Sequence, residues 1–499
     1  MAGNLAEVLT ESARRAPERV AVRLDDSDTT YAALDAASAR MAALLADRGV
    51  GPGDRVGVML PNVPQFPVAY YGALRLGAIV VPMNVLLRRR EVAYYLGDSG
   101  ASAIVFWHGF ADDARAGAEE AGVQAIEVEP GSFEAVLAGF EPEPGVLARE
   151  DGDPAVILYT SGTTGSPKGA ELTHANLRRN LEAAVALFGL GSDEVIFGGL
   201  PLFHSFGQTC ALNAGIAAGA TITLLPRFDP GQALEIVQRD RVTVFEGVPT
   251  MYGALLHHPG RESFDTSSLR VCASGGASLP VELLHAFERA FGCKILEGYG
   301  LSETSPVASF NHPGRERKPG SIGVPIEGVE MRLVDDRGAP VPEGEVGEIQ
   351  IRGHNVMKGY WRRPEATAEA ISGDGWFSSG DIARVDDDGY FYIVDRKKDL
   401  IIRGGYNVYP REVEEILYEH PAVREVAVVG FADEALGEEV GAAVALRAGH
   451  EASASELQAF VREQVAPYKY PRRVWFVDEL PKGPTGKILK REIVPPASG

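Results

Sequence analysis

The chain has 499 residues, more than one hydrophobic core usually organises, so at least two domains are expected. Hydrophobic residues make up 45% and charged residues 23%, which excludes disordered, collagen-like and coiled-coil classes. Lys and Arg total 48 against 69 Asp and Glu, and a net charge of −21 disfavours nucleic acid or an anionic membrane surface as a partner.

From the N terminus, helical and extended patterns alternate, which predicts α/β layers. A helix is predicted over 32–48, and a second helix ends near residue 77. The most apolar stretch, 69–87, is interrupted by Arg75 and Pro82, so it predicts a helix and a buried strand and no membrane span. Strands are predicted at 20–24, 55–60, 78–83, 155–160, 221–226, 242–247, 269–274 and 293–298.

The pattern changes between about 321 and 395, where short extended runs alternate with Asp/Gly turns and predict a small antiparallel sheet or barrel. A polar junction follows Asp395, and Pro410 then opens a helix with one apolar face. The remaining residues predict a compact α+β unit of about 100 residues. The predicted fold class is therefore α/β, with a large N-terminal domain of several subdomains over 1–397 and a smaller α+β domain over 398–499.

Cysteine usage and the N terminus indicate a cytoplasmic protein. The three cysteines show no Cys-x-x-Cys spacing, which is typical of a reducing compartment. Residues 1–15 lack a basic segment followed by an apolar core, so no signal peptide is predicted.

The strongest chemical signal is the run Tyr-Thr-Ser-Gly-Thr-Thr-Gly-Ser-Pro-Lys-Gly at 159–169, directly after a predicted strand. Glycines let the backbone approach a ligand, hydroxyl and amide groups donate to phosphate oxygens, and Lys168 adds a cation. A solvated turn is the alternative on composition alone. The spacing is not that of a Walker A loop.

This run resembles the phosphate-loop signature of the adenylate-forming superfamily, which contains acyl- and aryl-CoA synthetases, peptide-synthetase adenylation domains and firefly-type luciferases. Further motifs of that superfamily follow in order and span nearly the whole chain. They are LPLFHSFG (200–207), ASGGASLP (273–280), EGYGLSET (297–304), GWFSSGD (375–381), DRKKDLIIRGGYNVYP (395–410) and PKGPTGKILK (481–490).

The resemblance implies a set of nucleotide-binding residues. Tyr299 would stack on adenine, Glu303 would ligate Mg2+, and Thr304 would bond the α-phosphate. Asp381 would accept both ribose hydroxyls with help from Arg396. Implied contacts to the β- and γ-phosphates are Thr160, Ser161, Gly162, Thr163, Thr164 and Lys168, and implied adenine-side residues are Gly276, Ala277 and Glu297.

The same resemblance implies a catalytic lysine and a mobile C-terminal domain. Lys487 would neutralise charge between the attacking carboxylate and the α-phosphate, whereas Lys482 and Lys490 are expected to be solvated. The C-terminal domain would rotate about Lys398 between the two half-reactions. Gly404 and Gly405 would then line the channel for the thiol of coenzyme A.

The acid-binding pocket is implied by comparison with the same superfamily. His204 would shield the carboxylate site and take part in catalysis. The pocket lacks an Arg or Lys for a second carboxylate, and the small Gly275 would leave depth for an alkyl chain. The implied lining residues are His204, Phe206, Val248, Gly275, Gly300 and Val307.

The implied activity is that of an AMP-forming acyl-CoA synthetase using ATP, Mg2+ and coenzyme A, with a medium- or long-chain fatty acid as the first choice of acid. Alternatives are a coumarate- or benzoate-type CoA ligase, a stand-alone enzyme that loads a carrier protein, a luciferase-like oxidation and a catalytically silent acyl or nucleotide sensor. The oligomeric state stays open, with a homodimer among the alternatives.

Overall fold

The structure is a computed structural model that describes residues 3–142, 145–160, 166–342, 344–433 and 436–496. The α-helices are α1 Glu7–Arg15, α2 Tyr31–Asp47, α3 Gln65–Arg75, α4 Arg89–Ser99, α5 Ala111–Ala121, α6 Ser132–Leu137, α7 His174–Phe188, α8 Ala214–Ala218, α9 Pro230–Asp240, α10 Pro249–Leu256, α11 Val281–Phe291, α12 Pro364–Ala370, α13 Pro410–Glu419 and α14 Ala454–Arg462. Among the described residues, none of these helices is long and apolar enough to cross a membrane.

The strands group into four sheets within the described part of the chain. They are β1 Val20–Leu24, β2 Ser27–Thr30, β3 Arg55–Met59, β4 Ile79–Pro82, β5 Ala101–Trp107, β6 Gln124–Val128, β7 Pro154–Thr160, β8 Lys168–Thr173, β9 Val195–Gly198, β10 Thr221–Leu224, β11 Val244–Gly247, β12 Val271–Ser274, β13 Ile295–Gly300, β14 Val307–Phe310, β15 Val324–Pro325, β16 Val329–Val334, β17 Gly347–Gly353, β18 Gly359–Tyr360, β19 Phe377–Val385, β20 Phe391–Arg396, β21 Ile401–Arg403, β22 Tyr406–Val408, β23 Val423–Asp433, β24 Gly437–Leu446 and β25 Arg473–Phe476.

Two large sheets form the N-terminal α/β layers. One has the strand order β18-β8-β7-β4-β3-β5-β6, and the other has the order β15-β14-β13-β12-β11-β9-β10-β1-β2. Their central strands pair in parallel, as in β3 with β4 and β11 with β12. Parallel pairing requires crossover helices, which explains the alternation of helical and extended patterns in the sequence.

Helix starts follow local capping rules. The side chain of Thr30 accepts a hydrogen bond from the amide of Ala33 at the start of α2. At α9 the Asp229 side chain accepts from the amide of Gln232, and Pro230 occupies the first turn. These capping hydrogen bonds fix the residue at which each helix begins.

The two smaller sheets lie later in the chain. The antiparallel order β16-β17-β19-β20 occupies the region in which the sequence predicts a small antiparallel sheet or barrel. The last sheet has the order β22-β21-β24-β23, with β25 added to β24, and it has its own core cluster with residues of α13 and α14. The α/β fold class with a smaller α+β part is therefore confirmed, while the boundary at 397/398 stays a prediction.

Strand register places three chemically important segments at one edge of the second large sheet. Gly247 at the end of β11 pairs with Ser274 of β12, and Ser274 pairs with Glu297 of β13. The carboxyl ends of parallel strands meet at the same edge of an open α/β sheet, which is where ligands bind in this class of fold. The segments that follow β11 and β12 therefore leave the sheet side by side, next to the second half of β13.

Candidate active site

An ion-paired carboxylate forms one end of the candidate site. The Oδ1 atom of Asp381 lies 3.0 Å from Nε of Arg396, and the Tyr299 hydroxyl donates to Oδ2 of Asp381 at 2.6 Å. Asp381 and Arg396 face each other across the β19–β20 pair. Burial and the nearby Asp381 raise the pKa of Tyr299, so it remains a hydrogen-bond donor at physiological pH. A buried carboxylate of this kind suits a pair of ligand hydroxyl groups.

A second cluster surrounds the carboxylate of Glu303. Its Oε1 atom accepts hydrogen bonds from the hydroxyls of Thr160 at 3.3 Å and Tyr360 at 3.0 Å. The Nζ atom of Lys168 lies 5.3 Å from the centroid of the Tyr360 ring. Three segments remote in sequence thus place a cation, two hydroxyls and a carboxylate together. Tyr360 was not predicted as a site residue, because the sequence carries no motif that links it to Glu303.

The centre of the predicted phosphate loop lies outside the described residues, and with it Ser161, Gly162, Thr163 and Thr164. The flanks are described: Thr160 and Lys168 face each other at the open end of the antiparallel β7–β8 pair. The residue before Thr160, Tyr159, donates its hydroxyl to Asp98 at 2.8 Å and so anchors the start of the loop.

The carboxylate of Glu303 is chemically suited to Mg2+. In the described residues no group of three or more His, Cys, Asp or Glu side chains could hold a metal ion. Mg2+ is commonly bound through one or two carboxylates together with water and substrate phosphates. A single carboxylate beside the two flanks of the phosphate loop therefore fits this ion.

Thr304 is fully buried and bonded within its own turn. Its hydroxyl oxygen accepts from the amide of Leu301 at 2.9 Å and donates to the carbonyl of Pro306 at 2.6 Å. The hydroxyl proton is therefore used by the protein itself in this conformation. The predicted contact of Thr304 with an α-phosphate stays a prediction.

Lys487 projects into the site from a tight C-terminal turn. The amide of Gly483 donates to the carbonyl of Lys487 at 2.8 Å, and Thr250 at the start of α10 donates its hydroxyl to the carbonyl of Gly486 at 3.0 Å. Burial and then the nearby Arg396 lower the pKa of Lys487 to about 8, although Asp381 acts in the opposite direction.

The three tail lysines differ in their partners. Lys482 forms ion pairs with Glu425 at 2.9 Å and Glu479 at 3.0 Å, and Lys490 pairs with Glu414 at 2.7 Å. These two lysines are held by carboxylates, which corrects the expectation that they are simply solvated. No ion pair of Lys487 is found among the described residues, so its charge faces the site.

A cleft of about 990 Å3 connects the N-terminal sheets with the C-terminal segment. Eight of the predicted site residues line it together: Gly276, Ala277, Glu297, Tyr299, Gly300, Asp381, Arg396 and Lys487. Glu297 is buried, and its Oε1 atom accepts from the amide of Leu279 at 3.0 Å. Burial raises the pKa of Glu297 to about 7, although the charge of Arg411 opposes this shift.

A side chain at Gly300 would collide with the backbone. A Cβ atom built there would lie 1.9 Å from the carbonyl oxygen of Pro306. Gly300 therefore lets the turn that carries Glu303 and Thr304 fold tightly against β13.

The predicted acid-binding residues lie beside this cleft. Burial, reinforced by the charge of Lys487, lowers the pKa of His204 to about 4, so its imidazole is neutral at physiological pH. The Nδ1 atom of His204 accepts from the amide of Phe206 at 3.3 Å. A Cβ atom at Gly275 would lie 3.1 Å from the Phe206 ring, so the glycine lets this ring approach the end of β12. Val248 is also buried.

The backbone of Val307 is held by a side chain of α7. Its amide donates to the Asn180 side chain at 3.0 Å, and its carbonyl accepts from the same side chain at 2.9 Å. This contact with α7 holds the start of β14, directly after the turn that carries Glu303 and Thr304.

The predicted hinge and channel residues do not line the cleft. Lys398 is exposed between β20 and β21, and its neighbour Lys397 pairs with Asp336 at 2.8 Å. Gly404 and Gly405 are exposed in the turn between β21 and β22. The predicted roles of these residues belong to the conformation in which the C-terminal domain has rotated, and they stay predictions.

Comparison with known proteins identifies the family of the chain. A family model described as AMP-binding enzyme matches residues 9–361, and one described as AMP-binding enzyme C-terminal domain matches 412–487. The chain therefore belongs to the AMP-binding enzyme family. The prediction of an adenylate-forming acid–thiol ligase that uses ATP, Mg2+ and coenzyme A is confirmed at the level of this class.

Three similar proteins illustrate the range of acids within the family. The chain is 40% identical to a long-chain-fatty-acid–CoA ligase of Bacillus subtilis, over 98% of this chain and 94% of the relative. It is 43% identical to a feruloyl-CoA synthase of Amycolatopsis sp, over 96% of both chains. A crystal structure of an anthranilate CoA ligase with anthranoyl-AMP matches with a TM-score of 0.93 and 30% identity, over 98% of this chain and 96% of that chain.

Proposed function

We propose that this enzyme joins a carboxylic acid to coenzyme A in two steps within the cleft. In the first step the carboxylate oxygen attacks the α-phosphorus of ATP, and pyrophosphate leaves as acyl-AMP forms. In the second step the thiolate of coenzyme A attacks the acyl carbon, and AMP leaves with the electrons of the broken C–O bond. The observation that carries the proposal is that Lys487 lines the same cleft as Arg396 and Asp381, with its charge close enough to His204 to lower the pKa of that imidazole.

Lys487 would act in the first step as a fixed positive charge. Its pKa of about 8 keeps it mostly protonated at neutral pH. A nucleotide held by Asp381 and a carboxylate next to His204 would both be close to this charge. A cation fixed at that point stabilises the negative charge that develops during the attack, which is commonly the largest single contribution to catalysis.

The other residues would hold the reactants. Asp381 and Arg396 would bind the ribose, with Tyr299 against the adenine. Glu303 would hold Mg2+, which neutralises phosphate charge when bound. A neutral His204 would shield the carboxylate site without competing for its charge.

The second step would require that the C-terminal unit moves. In the conformation described, Lys487 occupies the cleft and the hairpin that carries Gly404 and Gly405 is away from it. Rotation of residues 398–499 about Lys398 would withdraw Lys487 and bring this hairpin to the site.

The first candidate for the acid is a medium- or long-chain fatty acid, supported by the 40% identity to the Bacillus subtilis ligase and by apolar pocket residues such as Phe206 and Val248. The second candidate is an aromatic acid, supported by the 43% identity to the feruloyl-CoA synthase.

The test is incubation with ATP, Mg2+ and a mixed panel of acids, with and without coenzyme A, followed by mass spectrometry. Acyl-AMP without coenzyme A and thioester with it are expected. Accumulation of acyl-AMP without any thioester would refute the transfer to coenzyme A. Thioesters of benzoate- or cinnamate-type acids alone would refute the fatty-acid candidate.

A further inference from the structure

Glu246, near the end of β11, is a buried carboxyl group that the proposed mechanism does not use. Its side chain is completely buried, and neither carboxyl oxygen has a hydrogen-bond partner among the described residues. Burying such a group without a partner is unfavourable, so an unpaired one calls for an explanation. Burial raises the pKa of Glu246 to about 8, so at neutral pH the carboxyl group mostly offers one donor and one acceptor.

The carboxyl group faces the helical segment that follows His204. Side chains alternate along a strand, so Glu246 points to the same sheet face as Val244. Val244 packs in one hydrophobic cluster with Cys210, which lies in the π-helical segment Gly207–Asn213. The charge of Glu246 contributes to the raised pKa of Cys210, which places the two side chains close together.

Further unpaired polar atoms lie on the same segment. Within the described residues, Ser205 Oγ, Gln208 Oε1 and Thr209 Oγ1 are buried and have no hydrogen-bond partner. Native interiors contain few such atoms, so several beside Cys210 indicate a polar site. The π-helical geometry of residues 207–213 supports this inference, because π-helical turns occur frequently at functional sites.

This polar site adjoins the inner end of the proposed acid pocket. Glu246 precedes Gly247, whose carbonyl accepts a hydrogen bond from the amide of Gly275 at 3.3 Å. Val248 and Gly275 belong to the predicted pocket lining, and Phe206 lies against Gly275. Glu246 is two residues before Val248, so their Cα atoms are at most about 7 Å apart.

We propose that Glu246, together with Gln208 and Thr209, binds a hydroxyl group at the end of the acid remote from the reacting carboxylate. This inference rests on the proposed function and narrows the substrate class to hydroxy-substituted acids. A carboxyl group can donate a hydrogen bond to the hydroxyl oxygen or accept one from the hydroxyl group, whereas a methyl group or an unsubstituted ring would leave the polar atoms unpaired. Sites that hydrogen-bond a substrate hydroxyl discriminate strongly against the analogue that lacks it.

The experiment compares acids that differ only by the remote hydroxyl, with the full-length enzyme. The pairs are cinnamate with 4-hydroxycinnamate and decanoate with 10-hydroxydecanoate, and kcat/KM for thioester formation is measured for each. We expect the hydroxylated member of at least one pair to be favoured by about 10- to 100-fold. The pair that shows the preference identifies an aryl or an alkyl hydroxyl as the ligand.

Variants then assign the preference to Glu246. Glu246→Leu is expected to abolish it, and Glu246→Gln, which keeps a donor and an acceptor, to retain most of it. Asp240→Asn is the matched control, because Asp240 is also a buried carboxylate but pairs with Arg239 at 2.8 Å, so the ratio should not change. If Glu246→Leu does not fold, Gln208→Leu must lower the ratio instead.

Two results would overturn the inference and leave the proposed function intact. One is a wild-type enzyme that forms thioesters of both members of each pair at similar kcat/KM. The other is a folded Glu246→Leu enzyme with an unchanged ratio. Failure to form any thioester from any acid would instead overturn the proposed function itself.

Discussion

Replacing Lys487 by alanine is expected to abolish acyl-adenylate formation but to spare thioester formation from supplied acyl-AMP. The side chain projects into the cleft beside Arg396, Asp381 and His204, where the α-phosphate and carboxylate would meet. Loss of one preorganised electrostatic contact typically costs about 10²- to 10³-fold in kcat, and a loss of at least that size is expected here. The thiol attack is proposed to occur after Lys487 has left the site, so it should not depend on this residue.

The pH dependence of the first step gives a second measure of the same residue. Lys487 would act as a cation, so the activity it supports is present below its pKa of about 8 and is lost as the pH rises through that value. About nine-tenths of the Lys487 side chains are protonated at pH 7 and slightly less than one-tenth at pH 9, so kcat/KM for ATP should fall about tenfold between these two pH values. His204 does not contribute, because its pKa of about 4 keeps it neutral across this range.

The two half-reactions can be assayed separately. Pyrophosphate release without coenzyme A reports adenylation, and thioester formation from synthetic acyl-AMP and coenzyme A reports transfer. Lys482→Ala and Lys490→Ala are matched controls, because these lysines are paired with Glu425 and Glu414 and should leave adenylation within about twofold of wild type. Equal loss of both half-reactions in Lys487→Ala, or a flat wild-type profile from pH 7 to 9, would refute the reasoning.

Two further changes test the geometry around Glu303. Tyr360→Phe removes the 3.0 Å hydrogen bond to Glu303 and should raise KM for MgATP about fivefold with little change in melting temperature. An unchanged KM across a Mg2+ titration would count against the proposed metal site. Gly300→Ala forces a Cβ atom against the carbonyl of Pro306 and should lower stability by about 3 kcal/mol, measured by urea unfolding. Gly97→Ala in α4 has open space at the added Cβ and should be neutral or slightly stabilising, so equal losses in both variants would contradict the steric argument.

The sequence motifs predicted which residues meet in the cleft, because each motif lies near the end of a strand or in a tight turn. Tyr299 lies at the end of β13, and Asp381 and Arg396 are opposite each other on β19 and β20. Apolar runs in the sequence predict such strands. Parallel pairing brings the ends of β11, β12 and β13 to a common edge, whereas antiparallel pairing of β19 with β20 brings Asp381 to Arg396. The convergence in the cleft therefore follows from strand order, although the order itself is not visible in any one motif.

Contacts between side chains were less predictable. Tyr360 meets Glu303 only because β18 pairs with β8 at the edge of another sheet. Glu246 appears in the sequence as one acidic residue in an apolar strand, and only packing shows that it is buried and unpaired. The hydroxyl of Thr304 bonds within its own turn, which a motif cannot indicate. The contacts of Tyr360 and Glu246 depend on tertiary packing and that of Thr304 on the conformation of its turn, and a linear pattern contains neither.

The charges in the cleft indicate why it suits a polyanion. Burial and the charge of Arg396 lower the pKa of Lys487, and in the described part of the chain Lys487 has no ion-pair partner to offset this. Bringing two cations together is unfavourable unless a third group of opposite charge completes the site. Bound ATP would supply that charge and raise the pKa of Lys487. Because kcat/KM reports the free enzyme, its fall near pH 8 should shift to higher pH in kcat, where the nucleotide is already bound. A shift of the fall to higher pH in kcat is expected if Lys487 interacts with the bound nucleotide. No shift is expected if Lys487 only stabilises the fold.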